Sequence, residues 1–155
     1  MNWSLTSLRF VSVLAIYSIG VSSVHTQSRS LVGQWQIEFK FSSSKEHTLR
    51  LDAHAGGNGT FLLLDSRSNL LPPAEPTKAQ WEQAPSQVMF WGDIEFPIGN
   101  VGRDAGALVF NGAFESADAV SGKVAFFRVG QDPKDPATVP AKSGKFTARR
   151  GAAVQ

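Results

Sequence analysis

The 155-residue chain has no cysteine. That removes disulfides, thiolate metal sites, cysteine nucleophiles and a lipid-modified N-terminal cysteine from consideration. Charge is also scarce: 18% of residues are charged, and 15 Lys and Arg against 13 Asp and Glu leave a formal net charge of +2. A nucleic-acid binder would carry a basic stripe, and this balance is too weak to supply one. No stretch offers a convincing helical stripe. With 42% hydrophobic residues the chain is not a disordered one. Fourteen Gly and eight Pro point to short elements joined by turns, within one domain's length.

The first two dozen residues read as an address. Met1 to Arg9 carries a single charge, Phe10 to Val21 is an uncharged apolar run, and Val21-Ser22-Ser23 fits the small-x-small pattern that signal peptidase accepts. The run is short of the roughly 20 apolar residues a membrane span requires, so a cleaved leader over 1–23 is expected, the alternative being an uncleaved anchor. Removing it takes out Arg9 and no acid, leaving 14 basic against 13 acidic residues. A nearly neutral mature chain argues against polyanionic and membrane-surface partners, and no stable membrane span is expected after cleavage. The organisation read from this is a signal peptide (1–23), a flexible N-terminal segment (24–31), one domain (32–151) and a short tail (152–155), in a protein exported to the periplasm or beyond the cell.

From Val32 onward the apolar residues alternate with a period of two. Trp35, Ile37, Phe39 and Phe41 interleave with Gln34, Gln36, Glu38 and Lys40, and His47, Leu49, Leu51 and Ala53 interleave with Thr48, Arg50, Asp52 and His54. Ala55 to Gly59 (AGGNG) is a turn, since Gly and Asn tolerate positive φ. Further strands are expected at Thr60–Asp65, Gln80–Gln83, Gln87–Phe96 with a possible bulge at Gly92, Ala107–Glu115, Val120–Val129 and Lys145–Arg150. Eight consecutive strands predict an all-β antiparallel up-and-down meander, closed as a barrel or packed as a sandwich. In a meander every odd-to-even connection lies at one end. The long Pro- and Gly-rich connections over 66–79, 97–106 and 130–143 therefore gather on one rim with Ser42–Glu46, while tight turns close the other. A barrel with one loop-bearing mouth follows.

Gly33-x-Trp35 opening the first strand, a basic residue ending the last and hairpins between them resemble the calycin superfamily of lipocalin-like and avidin-like barrels. Asn58-Gly59-Thr60-Phe61, Val109-Phe110-Asn111-Gly112-x-Phe114, Ser121-Gly122-Lys123-Val124 and the ending Gly144-Lys145-Phe146-Thr147-Ala148-Arg149-Arg150 are, more narrowly, similar to small exported bacterial barrel domains, mostly without an assigned function. The resemblance spans nearly the whole mature chain through short motifs. It implies that Trp35 sits at the closed end with an arginine of the last strand packed across it. Alternation from Phe146 and Ala148 makes Arg150 the inward one, so Gly33, Trp35 and Arg150 form a candidate structural latch worth roughly 0.5–2 kcal/mol in cation–aromatic stacking. The chain departs from typical lipocalins in lacking disulfides, a C-terminal helix and their mid-chain motif.

Catalytic constellations are thin. His47 and His54 lie an odd number of residues apart and face opposite ways on a regular strand, so no shared metal is expected, and His54 beside Asp52 reads as a solvated pair. Asp93 and Glu95 share a face with Trp91, a pattern that suits sugar chemistry. However, Gly92, Ile94 and Phe96 make the better inward face and leave both acids in water. Gly99 to Gly106 is Gly-rich with no following helix to bind phosphate and reads as a flexible loop. Asp132-Pro133-Lys134-Asp135-Pro136 reads as a rigid turn without calcium-loop spacing. Asn58-Gly59-Thr60 is a glycosylation sequon that has meaning only in a eukaryotic host. No cofactor is implied.

The aromatics remain. Trp35, Phe39, Phe41, Phe61, Phe90, Phe96, Phe110, Phe114, Phe126 and Phe146 are expected to point inward, with Trp35, Phe39, Phe90, Phe110 and Phe126 as candidate ligand contacts. Eight strands enclose about enough room for side chains to fill, or for one small ligand. Ten rings favour a filled lumen, whereas Gly92 and Gly112 on inward tracks favour space. The leading expectation is a barrel binding a small apolar or aromatic ligand in its mouth; the alternatives are a module whose loops grip another exported protein and, behind it, a cyclase- or isomerase-like enzyme that shapes a bound lipid.

Overall fold

The computed structural model describes residues 29–42, 44–65, 73–98 and 102–151; the expected signal peptide and the tail lie outside them. The chain forms eight strands: β1 (Gly33–Phe41), β2 (Glu46–His54), β3 (Asn58–Leu63), β4 (Thr77–Gln83), β5 (Val88–Ile98), β6 (Gly102–Ser116), β7 (Ala119–Arg128) and β8 (Lys142–Arg150). Each pairs antiparallel with its neighbours in sequence, and β8 returns to β1 through Trp35↔Arg150, Ile37↔Ala148 and Phe39↔Phe146 to close the barrel. This is the all-β up-and-down barrel expected from the alternating pattern. Closure leaves no edge strand exposed, which the sandwich alternative would have done.

Alternation places one face of every strand in the lumen. Trp35, Ile37, Phe39 and Phe41 of β1 are at most 1% exposed, and Leu49 and Leu51 of β2 are fully buried. Phe114, expected to point inward, is only partly buried and meets Trp35 edge-on at 6.1 Å.

Several boundaries differ from those read in the sequence. Residues 97–106 are not one long flexible loop: β5 runs to Ile98 and β6 begins at Gly102, pairing Phe96 with Asp104 and Ile94 with Gly106. Gly106 is required there, because a Cβ would run into the Phe127 carbonyl. β4 starts at Thr77 and β8 at Lys142, each three residues earlier than expected. Gly92 carries no bulge; the register runs through Ala79↔Gly92↔Leu108, and the shift falls instead between Phe114 and Ser116. The packed domain also begins before Val32. Leu31 is fully buried, its N–H donates to Gln83 Oε1 at 2.9 Å, and its carbonyl accepts from Trp35 Nε1 at 2.7 Å.

The inward glycines do not leave the lumen empty. A Cβ on Gly92 would lie 2.9 Å from the Phe61 ring, and one on Gly112 would lie 2.8 Å from the Phe146 ring. Each glycine accommodates a phenyl group from elsewhere in the barrel. Phe110 sits at the centre of the resulting network, stacked on Phe90 at 4.7 Å and meeting Phe39, Phe61 and Phe146 edge-on at 5.1–5.9 Å. Replacing a fully buried phenylalanine costs about 3–5 kcal/mol through lost transfer energy and the remaining cavity. Phe110→Ala is therefore expected to lower unfolding free energy by about that amount in denaturant titration, and a loss below about 1 kcal/mol would show that the lumen is loosely packed.

Candidate functional site

The five candidate ligand contacts fall into the core. Trp35, Phe90, Phe110 and Phe126 are fully buried, and Phe39 is 1% exposed. They meet other side chains rather than an open cup, so the lumen as described is filled. What remains accessible lies at the two ends and on the outer wall.

At the closed end the structure brings Gly33, Trp35 and Arg150 together. The guanidinium carbon lies 4.5 Å from the centre of the Trp35 ring. Nη1 donates to the Val32 carbonyl at 2.8 Å, Nη2 to those of Ser30 at 2.7 Å and Ala117 at 3.3 Å, and Nε to Asp118 Oδ1 at 3.0 Å. Gly33 has φ +126°, and a Cβ there would stand 2.7 Å from Nη1. Only glycine accommodates both the backbone and the guanidinium. The planar fork thereby ties the chain preceding β1 to the β6–β7 turn across the floor of the barrel.

The open end carries two polar clusters that the sequence did not expose. On one side His47, 8% exposed, stacks on Phe39 at 5.1 Å and packs against Phe96 at 4.9 Å. Its Nδ1 lies 2.6 Å from Asp65 Oδ2, and Asp65 Oδ1 accepts the Thr48 N–H at 2.8 Å. On the other side Asp104, also 8% exposed, accepts from Lys142 Nζ at 2.8 Å and from Arg128 Nε at 3.2 Å. The Lys142 ammonium stands 5.3–5.9 Å from the centres of Phe126, Phe41 and Phe96, so a cation covers the aromatic floor of the mouth.

Both acids resist protonation. Burial acts to raise the Asp65 carboxyl, but hydrogen bonds from His47 and the Thr48 N–H, with the charges of His47 and Lys45, leave it below its ordinary 3.8. Asp104 behaves likewise: burial raises it, and Lys142 and Arg128 bring it below the same value.

The remaining candidates separate. His54 is exposed, and Asp52 is held by Gln34 Nε2 at 2.9 Å and Arg50 Nε at 3.1 Å instead. Asp93 and Glu95 are exposed on the outer wall, where Glu95 pairs with Arg103 at 2.7 Å. Among the described residues no group of three His, Asp or Glu is assembled that could hold a metal. Asp104 lies in the Gly-rich stretch expected to be a loop, where no apolar alternation marks it as inward. Continuing the inward track Gly112, Phe110, Leu108, Gly106 two residues further reaches it, and the same step back from Gly144 reaches Lys142.

No family model matches the sequence, and no curated protein matches it. Among solved structures the chain is similar to a redesigned β-barrel at a TM-score of 0.43 and 10% identity, over 79% of this chain and 92% of that one.

Two measurements follow. Arg150→Ala removes the stacked cation and the donor to exposed and part-buried carbonyls, so it is expected to cost about 1–3 kcal/mol in denaturant titration, against under about 1 for Arg149→Ala on the outer face. The second concerns pH. Because the folded carboxyls of Asp65 and Asp104 lie below their ordinary 3.8, the stability they contribute is full above about pH 5 and is lost progressively as pH falls through 3.8 and then through the folded values. Asp65→Asn is expected to flatten the acid limb of a Tm-against-pH profile; an unchanged limb would show that other groups govern it.

Proposed function

We propose that the protein is an exported, calycin-like barrel with a solid core, which presents its loop-bearing rim to another exported protein. The observation that carries this reading is where apolar surface remains. Among the described residues five large hydrophobics are exposed, and Leu64 (44%), Ile98 (56%), Val129 (80%) and Val139 (76%) all belong to the open rim. Exposed apolar groups gathered at one end of a molecule mark an interaction surface. The candidate ligand contacts meanwhile have no contact with solvent to offer. The near-neutral mature charge suits a protein partner better than a polyanion.

A second reading keeps a small apolar or aromatic ligand in the mouth. It draws support from Lys142, whose side chain is 32% exposed and alone spans the rings of Phe41, Phe96 and Phe126. A ligand there would have to displace this side chain from Asp104 and take its place over the rings. A lipid-shaping enzyme would need the same displacement.

Native mass spectrometry of protein purified from an exporting host separates the two. The expected result is a bare mass, together with a cross-linked partner from the exported fraction that a Val129→Ser, Val139→Ser double variant no longer captures. Extra mass that leaves on denaturation and solvent extraction would overturn the proposal in favour of the ligand.

A further inference from the structure

The outer wall between β4 and β7 differs from the rest of the barrel surface. Where β1 presents Gln36, Glu38 and Lys40 outward, β6 presents Ala105, Ala107 and Val109. These small side chains make a low floor with rings at its margins. Trp91 stands on β5, half-buried, and its cross-strand neighbours are Gln80 on one side and Val109 on the other. Gln80 Oε1 accepts the indole N–H at 3.1 Å, which fixes the ring on the wall, and Asn58 stands next to Gln80 in register. One step toward the rim, Asp93, Ala107 and Phe127 are cross-strand partners. The wall is hollowed here. A cleft of about 580 Å³ lies against Asn58, Lys78, Gln80, Trp91 and Asp93. A second, of about 840 Å³, lies where Asp93, Glu95, Ala107 and Phe127 meet the Val129–Pro133 segment. Asp93 borders both clefts.

We propose that this outer-wall groove binds a neutral glycan, with Trp91 as its stacking platform. A pyranose ring offers a flat C–H face to an aromatic side chain and a rim of hydroxyls to planar amides and carboxylates, each able to pair with two neighbouring groups. Trp91 provides the first, and Asn58, Gln80 and Asp93 the second. The span from Asn58 on β3 to β7 is four inter-strand intervals, about 19 Å, which suits a short stretch of oligosaccharide. The other ligand classes fit less well. Lys78, Arg103 and Arg128 border the groove along with Glu75, Asp93 and Glu95, so it carries no net positive charge to draw phosphate or an anionic polysaccharide. The amides and acids offer nothing to an acyl chain. Glu95 is held by Arg103, so Asp93 is the carboxylate free of an ion pair among those bordering the groove at β5, and the groove is a binding site rather than a hydrolytic pair. The inference stands apart from the rim reading, since it uses different residues on a different surface.

The test is calorimetric titration of the purified protein with cellohexaose, chitohexaose and mannohexaose, with tryptophan fluorescence followed in parallel. At least one is expected to bind with a change in fluorescence. Trp91→Ala is expected to weaken that binding about tenfold or more, Trp91→Phe to restore part of it, and Asp93→Ala to weaken it by several-fold. Both positions face outward, so circular dichroism is expected to show the three variants folded. Absence of heat and of fluorescence change with all three sugars at about 5 mM would overturn the proposal, as would binding that is unchanged in Trp91→Ala.

Discussion

The volume of the lumen is the constraint on which the structure depends. Hydrogen bonding sets the spacing of the strands, so eight of them enclose a cylinder of fixed bore that side chains must fill without excess. Here eight phenylalanines and Trp35 share the filling with aliphatic side chains, and rings of one size cannot occupy every inward position. Gly92 and Gly112 resolve this by yielding their places to Phe61 and Phe146. Glycine in a lumen of this kind is part of the packing rather than a gap in it. The packed lumen leaves the rim, the polar ends and the outer wall as the accessible surfaces among the described residues.

Both ends of the lumen use the same device, and both instances come from β8. Lys142 and Arg150 share the inward track of that strand, one at each terminus, and each lays its cation over aromatic rings: Lys142 at 5.3 Å from Phe126, Arg150 at 4.5 Å from Trp35. Between them Phe146 and Ala148 continue the apolar filling. The long stems of Lys and Arg belong at such positions, since the aliphatic part covers rings while the head reaches water or an acid. The two cations differ in what they hold. The guanidinium fork of Arg150 gathers backbone carbonyls and fixes the floor, whereas the Lys142 ammonium is a single point charge on Asp104.

The barrel was legible in the sequence because strand alternation is a local property. Gln34 to Phe41 and His47 to Ala53 show it without exceptions, and the parity that made Arg150 inward used four residues. Legibility failed where the pattern was punctuated. Gly102 and Gly106 disguised the start of β6 as a loop, and with it Asp104; Lys142 fell outside β8 because Ser143 and Gly144 gave no apolar signal. The pairing of His47 with Asp65 depends on how β2 sits against the start of the β3–β4 connection, a relation of register that no local pattern encodes. The outer-wall row from Asn58 through Gln80 and Trp91 to Val109 was hidden for the same reason. Only its middle, the Trp91–Asp93–Glu95 run on β5, could be read along one strand.

The closing of β8 onto β1 has a practical consequence for the geometry of attachment. Gly151 N–H donates to the Gln34 carbonyl at 2.8 Å, and Ser30 lies against the Arg150 guanidinium, so the path into the barrel and the path out of it run side by side on the floor. Strands of nine residues, tilted as barrel closure requires, put the rim about 20 Å away. A tag, a linker or a solid support joined close to Arg29 or Gly151 therefore departs from the floor, at the end opposite the loops.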